Sequence, residues 1–232
     1  MANELIGLVP AAGYAKRLGS LPCSKEVLEV GGKPVMDYVI ERMRHAGCTE
    51  VRVITRPDKR DVVERAQDLG AVVVSSRPET AAESILTGIA GLPDEATVLI
   101  GFPDTIWTPI DGLTILLEHL AGRWQVALGL FETPDVARSD AVFCDDAGVV
   151  TNVSVKQPAA RSRLIWGCAA ARVPALYGLS RELELGHYFD RLARERVVLG
   201  VRLSSDWIDI GTKDAFAIAN ACAGGELAKE GA

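Results

Sequence analysis

The first half of the chain alternates between short apolar segments and longer segments with helical periodicity. Strands are predicted at four segments rich in aliphatic residues, 5–9, 51–55, 71–76 and 96–102. Helices are predicted between them at three segments, 34–46, 58–70 and 81–92. Apolar strands that alternate with helices are typical of a parallel sheet covered on both faces.

The pattern changes after residue 120, where predicted strands follow one another with short polar connections. Five strands are predicted here, at 125–131, 141–145, 149–155, 164–173 and 196–203. Two helices are predicted, at 180–194 and 213–223. No repeat, low-complexity linker or charge block divides the sequence. We therefore expect one α/β domain over residues 1–225 and a frayed tail over 226–232.

Composition narrows the classes of function. Of 232 residues 48% are hydrophobic, and the formal net charge is −6. An acidic chain is poorly suited to general binding of nucleic acid or of an anionic membrane, so we expect neither partner. No segment has the ~20 apolar residues of a membrane-spanning helix, and the N-terminus has no signal-peptide pattern.

The cysteines and histidines do not form a recognisable framework. The five cysteines are dispersed without a C-x-x-C pair, and the three histidines show no ligand spacing. An odd number of scattered cysteines indicates reduced thiols and a reducing compartment, so we expect a cytoplasmic location.

A cluster of cations follows the first strand, within LVPAAGYAKRLGSLPCSKEVLEVGGKP at residues 8–34. The cluster contains Lys16, Arg17, Lys25 and Lys33. No acidic residue precedes Glu26 in this segment. On an acidic chain, such a cluster indicates either a site for a small anion or a solvated basic loop.

The turn after the first strand is suited to phosphate. Ligands of open α/β sheets bind beyond the carboxyl ends of the strands, where this turn begins. The small residues Ala11, Ala12 and Gly13 would let their backbone N–H groups approach phosphate oxygens. Arg17 would add a bidentate fork and Lys25 a point charge.

Two familiar phosphate-binding patterns do not fit this segment. GGKP at 31–34 lacks the upstream glycine and the Ser/Thr of a P-loop. A dinucleotide fingerprint needs a helix directly after its glycines. Pro22 and the short distance from Gly13 to the apolar segment 27–30 leave no room for that helix.

Several segments resemble the sugar nucleotidyltransferases, in the right order along residues 5–220. They are PAAGYAKRL (10–18), CSKE (23–26), GGKPVMDYVIERM (31–43), GFPDTIW (101–107), VKQPAARSRLIWGCAAARV (155–173) and WIDIGTKDAFAIAN (207–220). The resemblance implies a Rossmann-like α/β fold with a mixed, mostly parallel sheet and helices on both faces. It also implies a nucleotide-binding half over about 1–120 and a sugar-binding half over about 121–225.

The resemblance implies a reaction and a set of residues. An oxygen of a sugar 1-phosphate attacks the α-phosphorus of an NTP, pyrophosphate leaves, and Mg²⁺ is required. Arg17 matches the family arginine at the triphosphate, and Lys25 matches the lysine that holds the α-phosphate and the attacking phosphate. Asp104 and Asp209 match the two metal-binding aspartates, which can share an ion only if the second half folds back over the first.

The sequence departs from the family pattern in two of the segments that are expected to contact the substrates. Ala15 and Lys16 stand where the family prefers glycine and a hydroxyl residue, so Lys16 would add charge beside the phosphates. Gln157 stands at the usual lysine of the E-K-P segment. Lys156 could supply that charge as a catalytic residue, although adjacent strand residues face opposite sides.

The remaining site residues are assigned to the base and the sugar. Ser75 stands near the family position of a glutamine that reads the base, and Thr80 stands at the position of a glycine. Thr80 is therefore expected to bind the nucleotide, and the identity of the base is left open. Trp166 and Gly167 match positions that line the sugar pocket, although a core role for Trp166 fits equally well.

Three functions remain open. The resemblance favours an enzyme (EC 2.7.7 class) that joins dTTP or UTP to a sugar 1-phosphate. The alternatives are a cytidylyltransferase with a non-sugar phosphate or phosphonate acceptor, and a nucleotide-sugar-sensing paralogue without activity. The expected partners are an NTP and a phosphorylated small molecule. A homo-oligomer is left open.

Overall fold

The computed structural model describes residues 4–15, 18–19, 21–133, 136, 139–157, 161–182, 184–204 and 206–223. Strands in the described residues are β1 Leu5–Pro10, β2 Glu29–Val30, β3 Lys33–Pro34, β4 Glu50–Thr55, β5 Val72–Ser75, β6 Thr97–Gly101, β7 Thr105–Trp107, β8 Val126–Glu132, β9 Asp140–Cys144, β10 Val150–Val155, β11 Leu164–Arg172, β12 Val198–Ser204 and β13 Trp207–Asp209. Helices are α1 Val35–His45, α2 Arg60–Asp68, α3 Ala81–Ile89, α4 Gly112–His119, α5 Leu185–Arg194 and α6 Lys213–Ala223.

A nine-stranded sheet takes strands from both halves of the chain. Its main path runs β10-β9-β11-β6-β1-β4-β5, and β8 joins β11 to β12. The pairs β1–β4, β1–β6, β4–β5 and β8–β12 are parallel. Strand β11 is antiparallel to β6, β8 and β9. The prediction of a mixed, mostly parallel sheet is therefore confirmed.

Apolar side chains pack on both faces of the sheet. Neighbouring residues of β1 point to opposite faces, so Leu8 joins the cluster that contains Ile85 and Phe189, and Val9 joins the cluster that contains Met36. Helices α3 and α5 thus cover one face, and α1 covers the other. This two-sided burial explains why the strands read as continuous apolar runs.

Helix α1 lies unusually close to the sheet. A Cβ atom added at Gly7 of β1 would lie 2.5 Å from Met43 Sδ of α1, and one added at Gly101 of β6 would also clash with α1, at Val39. Glycine at these two positions lets the helix approach the strands directly. The close packing fixes α1 against β1 and β6.

Several short elements were not predicted from the sequence. The helix predicted at 180–194 begins only at Leu185, because a 3₁₀ helix with Pro174 in its first turn occupies Val173–Arg181. Helix α4 was not predicted, and neither was the β7–β13 pair, which joins residues 105–107 to residues 207–209. That pair brings the end of the second half back to the end of β6.

Two expectations from composition can be compared with the structure. All five cysteines are free, as predicted. Within the described ranges, no helix has the length and apolar character needed to cross a membrane.

Candidate active site

Two adjoining clefts open at the carboxyl ends of β1 and β6. Cleft A, of ≈ 220 Å³, lies between the turn at 10–13 and the segment 78–84. Cleft B, of ≈ 200 Å³, lies between the end of β6 and residues of the second half that include Asp140, Trp166 and Asp209. Phe102 and Asp104 line both clefts, so Asp104 marks their junction.

Lys25 and Asp104 meet at this junction. The Lys25 ammonium donates a hydrogen bond to Asp104 Oδ2, and both side chains are largely buried. Burial by itself would lower the pKa of Lys25, but the carboxylates of Asp104, Glu26 and Asp209 raise it above its ordinary value. Lys25 therefore carries its positive charge beside both predicted metal-binding aspartates.

The β7–β13 pair brings Asp209 next to Asp104. Asp209 lies opposite Thr105 in this ladder, and Ile210 N donates a hydrogen bond to Asp104 O at 3.0 Å. Asp209 Oδ1 accepts a hydrogen bond from Gly211 N at 2.7 Å, which orients the side chain. The second half thus folds back over the first, as sharing of one ion would demand.

The donor chemistry of this aspartate pair fits Mg²⁺. Carboxylate oxygens are the ligands that this hard cation prefers, and it usually keeps waters or substrate phosphates as its other ligands. Among the residues that the structure describes, no group of three or more His, Cys, Asp or Glu could hold a metal ion. Asp104 and Asp209 would therefore provide a two-carboxylate site that phosphate oxygens complete.

Backbone contacts of the turn refine the predicted phosphate site. The Ala11 N–H donates to Ile54 O at 2.8 Å, because the β1–β4 pairing continues one residue past Pro10. The prediction that this amide would face phosphate is wrong for Ala11. The Ala12 and Gly13 N–H groups have no hydrogen-bond acceptor among the described residues.

Two cations that were not predicted brace the turn. Lys59 Nζ donates to Ala11 O at 2.8 Å and to Gly13 O at 3.0 Å. Arg56 Nε donates to Ala12 O at 2.9 Å. In a trans peptide the C=O and the following N–H point in opposite directions. The Ala12 N–H therefore points away from Lys59, and the Gly13 N–H points away from Arg56.

Lys59 is held beneath the turn by a buried ion pair. Its Nζ lies 2.7 Å from Glu26 Oε1, and the two side chains are only 6% and 1% exposed. Burial lowers the pKa of Lys59 and raises the pKa of Glu26, while the mutual attraction opposes both shifts. This role of Lys59 was not predicted, because the consecutive charged residues at 58–60 resemble an exposed segment and the partner, Glu26, lies 33 residues earlier.

Arg56 also ties the turn to the far wall of cleft A. Its Nη2 donates to Pro78 O at 2.7 Å, and its guanidinium lies 5.0 Å from the centre of the Tyr14 ring. Thr80 lines the same wall, but its Oγ1 accepts a hydrogen bond from Glu83 N at 3.1 Å. This hydroxyl caps α3, so nucleotide binding by Thr80 stays a prediction.

The other predicted cations lie in different settings. Lys33 donates a hydrogen bond to Glu41 at 2.6 Å, lies over the Tyr38 ring and lines neither cleft. Of the two alternatives for the cation cluster, its setting matches the solvated one. Its location on the β2–β3 ladder explains this. Lys16 and Arg17 lie outside the described residues.

Lys156 lies at the rim of cleft B. Strand β10 ends at Val155, and Lys156 adopts a left-handed φ of 48°, so the argument from strand alternation does not apply to it. Its Nζ bonds Glu184 Oε1 at 2.6 Å, and both side chains are about half exposed. A role in phosphate binding therefore stays a prediction.

Trp166 and Gly167 line cleft B, and both also pack in the interior. The Trp166 ring lies 5.5 Å from Phe102 and 5.0 Å from Phe189, measured between ring centres. A Cβ atom added at Gly167 would lie 2.6 Å from Trp207 Nε1. The core and cleft roles of Trp166 are therefore compatible, and Gly167 is needed for the approach of β13.

Curated relatives of the chain include a bifunctional protein and two nucleotidyltransferases by name. The bifunctional protein GlmU of Azorhizobium caulinodans is 33% identical over 138 residues, which make up 57% of this chain and 30% of that protein. UTP–glucose-1-phosphate uridylyltransferase of Pseudomonas aeruginosa is 35% identical over 94 residues, 39% of this chain and 33% of that protein. 2-C-methyl-D-erythritol 4-phosphate cytidylyltransferase of Xanthomonas oryzae is 32% identical over 146 residues, 61% of this chain and 47% of that protein. The chain thus aligns with about a third to a half of each relative.

Solved structures with low sequence identity share the fold. A Bacillus anthracis protein assigned as a glucose-1-phosphate thymidylyltransferase superposes with a TM-score of 0.84 at 18% identity, covering 94% of this chain and 95% of that one. A UDP-glucose pyrophosphorylase in complex with UDP-glucose has a TM-score of 0.80 at 18% identity, covering 94% and 98%. The nucleotidyltransferase fold expected from the sequence is confirmed.

A family model for the MobA-like NTP transferase domain matches residues 7–172, from β1 to the end of β11. This region covers more than half of the chain. The chain belongs to the family of MobA-like NTP transferase domains.

Proposed function

We propose that this MobA-like NTP transferase domain transfers a nucleotidyl group from an NTP to a phosphorylated small molecule, and that residues 1–225 act as one domain. The carrying observation is the placement of Lys25 and Asp104 where clefts A and B join, with Asp209 beside them. The triphosphate would occupy cleft A and the acceptor phosphate cleft B. The five free cysteines are consistent with a cytoplasmic location.

The reaction needs positioning and charge neutralisation more than it needs a nucleophilic side chain. An acceptor phosphate oxygen forms a bond to the α-phosphorus, the bond from that phosphorus to the bridging oxygen breaks, and pyrophosphate carries away the electron pair. Two phosphate charges at 4 Å repel by roughly 1 kcal/mol in water and about 4 kcal/mol near a protein surface. Lys25, at the junction, would offset this repulsion for both substrates.

The remaining contacts would divide between the two substrates. The N–H groups of Ala12 and Gly13, which have no acceptor among the described residues, would donate to triphosphate oxygens, and Arg17 would stabilise the leaving pyrophosphate. When bound at Asp104 and Asp209, Mg²⁺ would neutralise developing negative charge and hold phosphate oxygens in place. Water exclusion in cleft B would come from the packed rings of Phe102 and Trp166.

Two acceptor classes have support. The name of the uridylyltransferase relative, and the sequence resemblance, favour a sugar 1-phosphate with UTP or dTTP. The 32% identity with a methylerythritol phosphate cytidylyltransferase over 61% of the chain supports CTP with a non-sugar acceptor as the second candidate.

A matrix assay tests the proposal. Pyrophosphate release is measured with ATP, CTP, GTP, UTP and dTTP against glucose 1-phosphate, N-acetylglucosamine 1-phosphate and 2-C-methyl-D-erythritol 4-phosphate, with Mg²⁺. We expect turnover with at least one pair, and its loss in Lys25→Met. A folded protein that releases no pyrophosphate with any pair, or a Lys25→Met variant with full turnover, would contradict the proposal.

A further inference from the structure

Asp140, the first residue of β9, places a carboxylate in cleft B that was not identified from the sequence. Its Oδ2 accepts a hydrogen bond from Trp166 Nε1 at 3.1 Å. Its Oδ1 is shielded from solvent and has no hydrogen-bond partner among the described residues. A buried carboxylate oxygen without a donor is costly, so a group that supplies one at this point is favoured.

The surrounding residues make room for this carboxylate. Gly186, in the first turn of α5, faces Asp140 Oδ2, and a Cβ atom at that position would clash with the carboxylate. The charged or titratable neighbours are Lys156, Glu184 and His187. Burial raises the pKa of Asp140, while the Trp166 hydrogen bond and the Lys156 charge lower it. Among the described residues no side chain donates a hydrogen bond to Oδ1, so its capacity to accept one is unused.

We propose that Asp140 is a specificity residue for the acceptor, whose organic portion presents a hydrogen-bond donor to Oδ1. This assignment rests on the proposed function, in which cleft B holds the acceptor. The acceptor phosphate is drawn to the positive charge of Lys25 and repelled by Asp140, so the acceptor binds with its donor group toward Asp140. Trp166 is a positioning residue that holds the carboxylate through Oδ2, while Oδ1 has no donor of its own.

The donor is either a hydroxyl of a sugar or polyol phosphate, or an ammonium of an aminoalkyl phosphate or phosphonate. Both satisfy a desolvated carboxylate oxygen, and acceptor analogues distinguish them. A series of monodeoxy sugar phosphates tests the hydroxyl. The pair of aminoethyl phosphate and ethyl phosphate tests the ammonium, whose binding also weakens with salt.

The decisive variant is Asp140→Asn, which keeps the size of the side chain. If the amide oxygen retains the Trp166 bond, the amide NH₂ faces the donor of the acceptor and the hydrogen bond is lost. We expect KM for the best acceptor to rise at least tenfold, with KM for the NTP changed by less than twofold. Trp166→Phe, which keeps a ring but removes the N–H, should raise the acceptor KM about threefold. Asp146→Asn, an exposed aspartate in the β9–β10 turn, is the matched control and should match the wild type.

The analogues decide between this assignment and a purely structural role. The wild type should discriminate against the acceptor that lacks the donor, and Asp140→Asn should lose that discrimination. An active wild type whose acceptor KM and discrimination are unchanged in Asp140→Asn overturns the inference. Should Asp140→Asn fail to fold, as judged by thermal unfolding, unchanged discrimination in a folded Trp166→Phe overturns it instead. Absence of pyrophosphate release from the wild type with every acceptor is a different result, which overturns the proposed function itself.

Discussion

The two sides of the site are built in different ways. In cleft A the turn is braced from within, by Lys59 paired with Glu26 and by Arg56, which reaches the opposite wall. In cleft B the charged groups are more exposed, since Lys156 and Glu184 form a pair that is about half exposed. A preorganised cleft suits the triphosphate, which is the same group in every NTP. A cleft with half-exposed charged side chains suits recognition of one particular acceptor.

The largest effect is expected when the brace of cleft A is removed. Lys59→Met leaves the Glu26 carboxylate buried without its ion-pair partner, which typically costs about 3–5 kcal/mol. We expect the free energy of unfolding in urea to fall by about that amount. Lys33→Met, which breaks an exposed pair with Glu41, is the control and should cost less than about 1 kcal/mol.

A double variant separates the buried charge from lost packing. Glu26→Leu combined with Lys59→Met removes both charges, so it should recover part of the lost stability. A double variant no more stable than Lys59→Met alone would show that the unpaired carboxylate is not the source of the loss.

The second effect concerns the junction that both sides share. Asp104→Asn should lower kcat at least ~100-fold, about 2.7 kcal/mol in the barrier, because it removes the partner of Lys25 and a charge that we propose binds Mg²⁺. Steady-state kinetics with Mg²⁺ measure this loss, and circular dichroism checks the fold. Asp111→Asn, an exposed aspartate just before α4, serves as control. Near-normal turnover in Asp104→Asn would remove Asp104 from the metal site.

A smaller effect is expected for the tie across cleft A. Arg56→Met loses the hydrogen bonds to Ala12 O and Pro78 O, so the turn and the far wall are no longer held together. We expect KM for the NTP to rise about fivefold, roughly 1 kcal/mol, with kcat within twofold of the wild type. The exposed Arg60→Met is the control. An equal fall in kcat would instead place Arg56 in the chemical step.

The smallest effect is expected at the rim of cleft B. Lys156→Met breaks a half-exposed pair with Glu184, so stability should change by less than about 1 kcal/mol. We expect acceptor KM and kcat to change by less than threefold, and Glu184→Gln to behave alike. A tenfold fall in kcat confined to Lys156→Met would instead support Lys156 in the role of the lysine that the family resemblance implies.

Local pattern was sufficient for most of the fold. The strands at 5–10 and 97–101 are apolar because both faces of the sheet are covered, so their burial is visible in any short window of sequence. Helix α4 was missed, and so were β7 and β13, which have only three residues each and too little length for a period to show. The predicted start of α5 was too early because a 3₁₀ helix lies just before it, at Val173–Arg181. The spacing of apolar residues in a 3₁₀ helix is close to that in an α-helix.

The sequence by itself determined the alternation of strands and helices and the order of the segments that resemble sugar nucleotidyltransferases, because both are carried by neighbouring residues. Only the tertiary structure decided what each charge does. In the folded chain Lys33 pairs with Glu41 and Lys59 is buried against Glu26. The Ala11 amide donates to Ile54 O, and the β7–β13 pairing brings Asp209 beside Asp104. The physical reason is that the role of a charge depends on its desolvation and its partners, which come from distant parts of the chain.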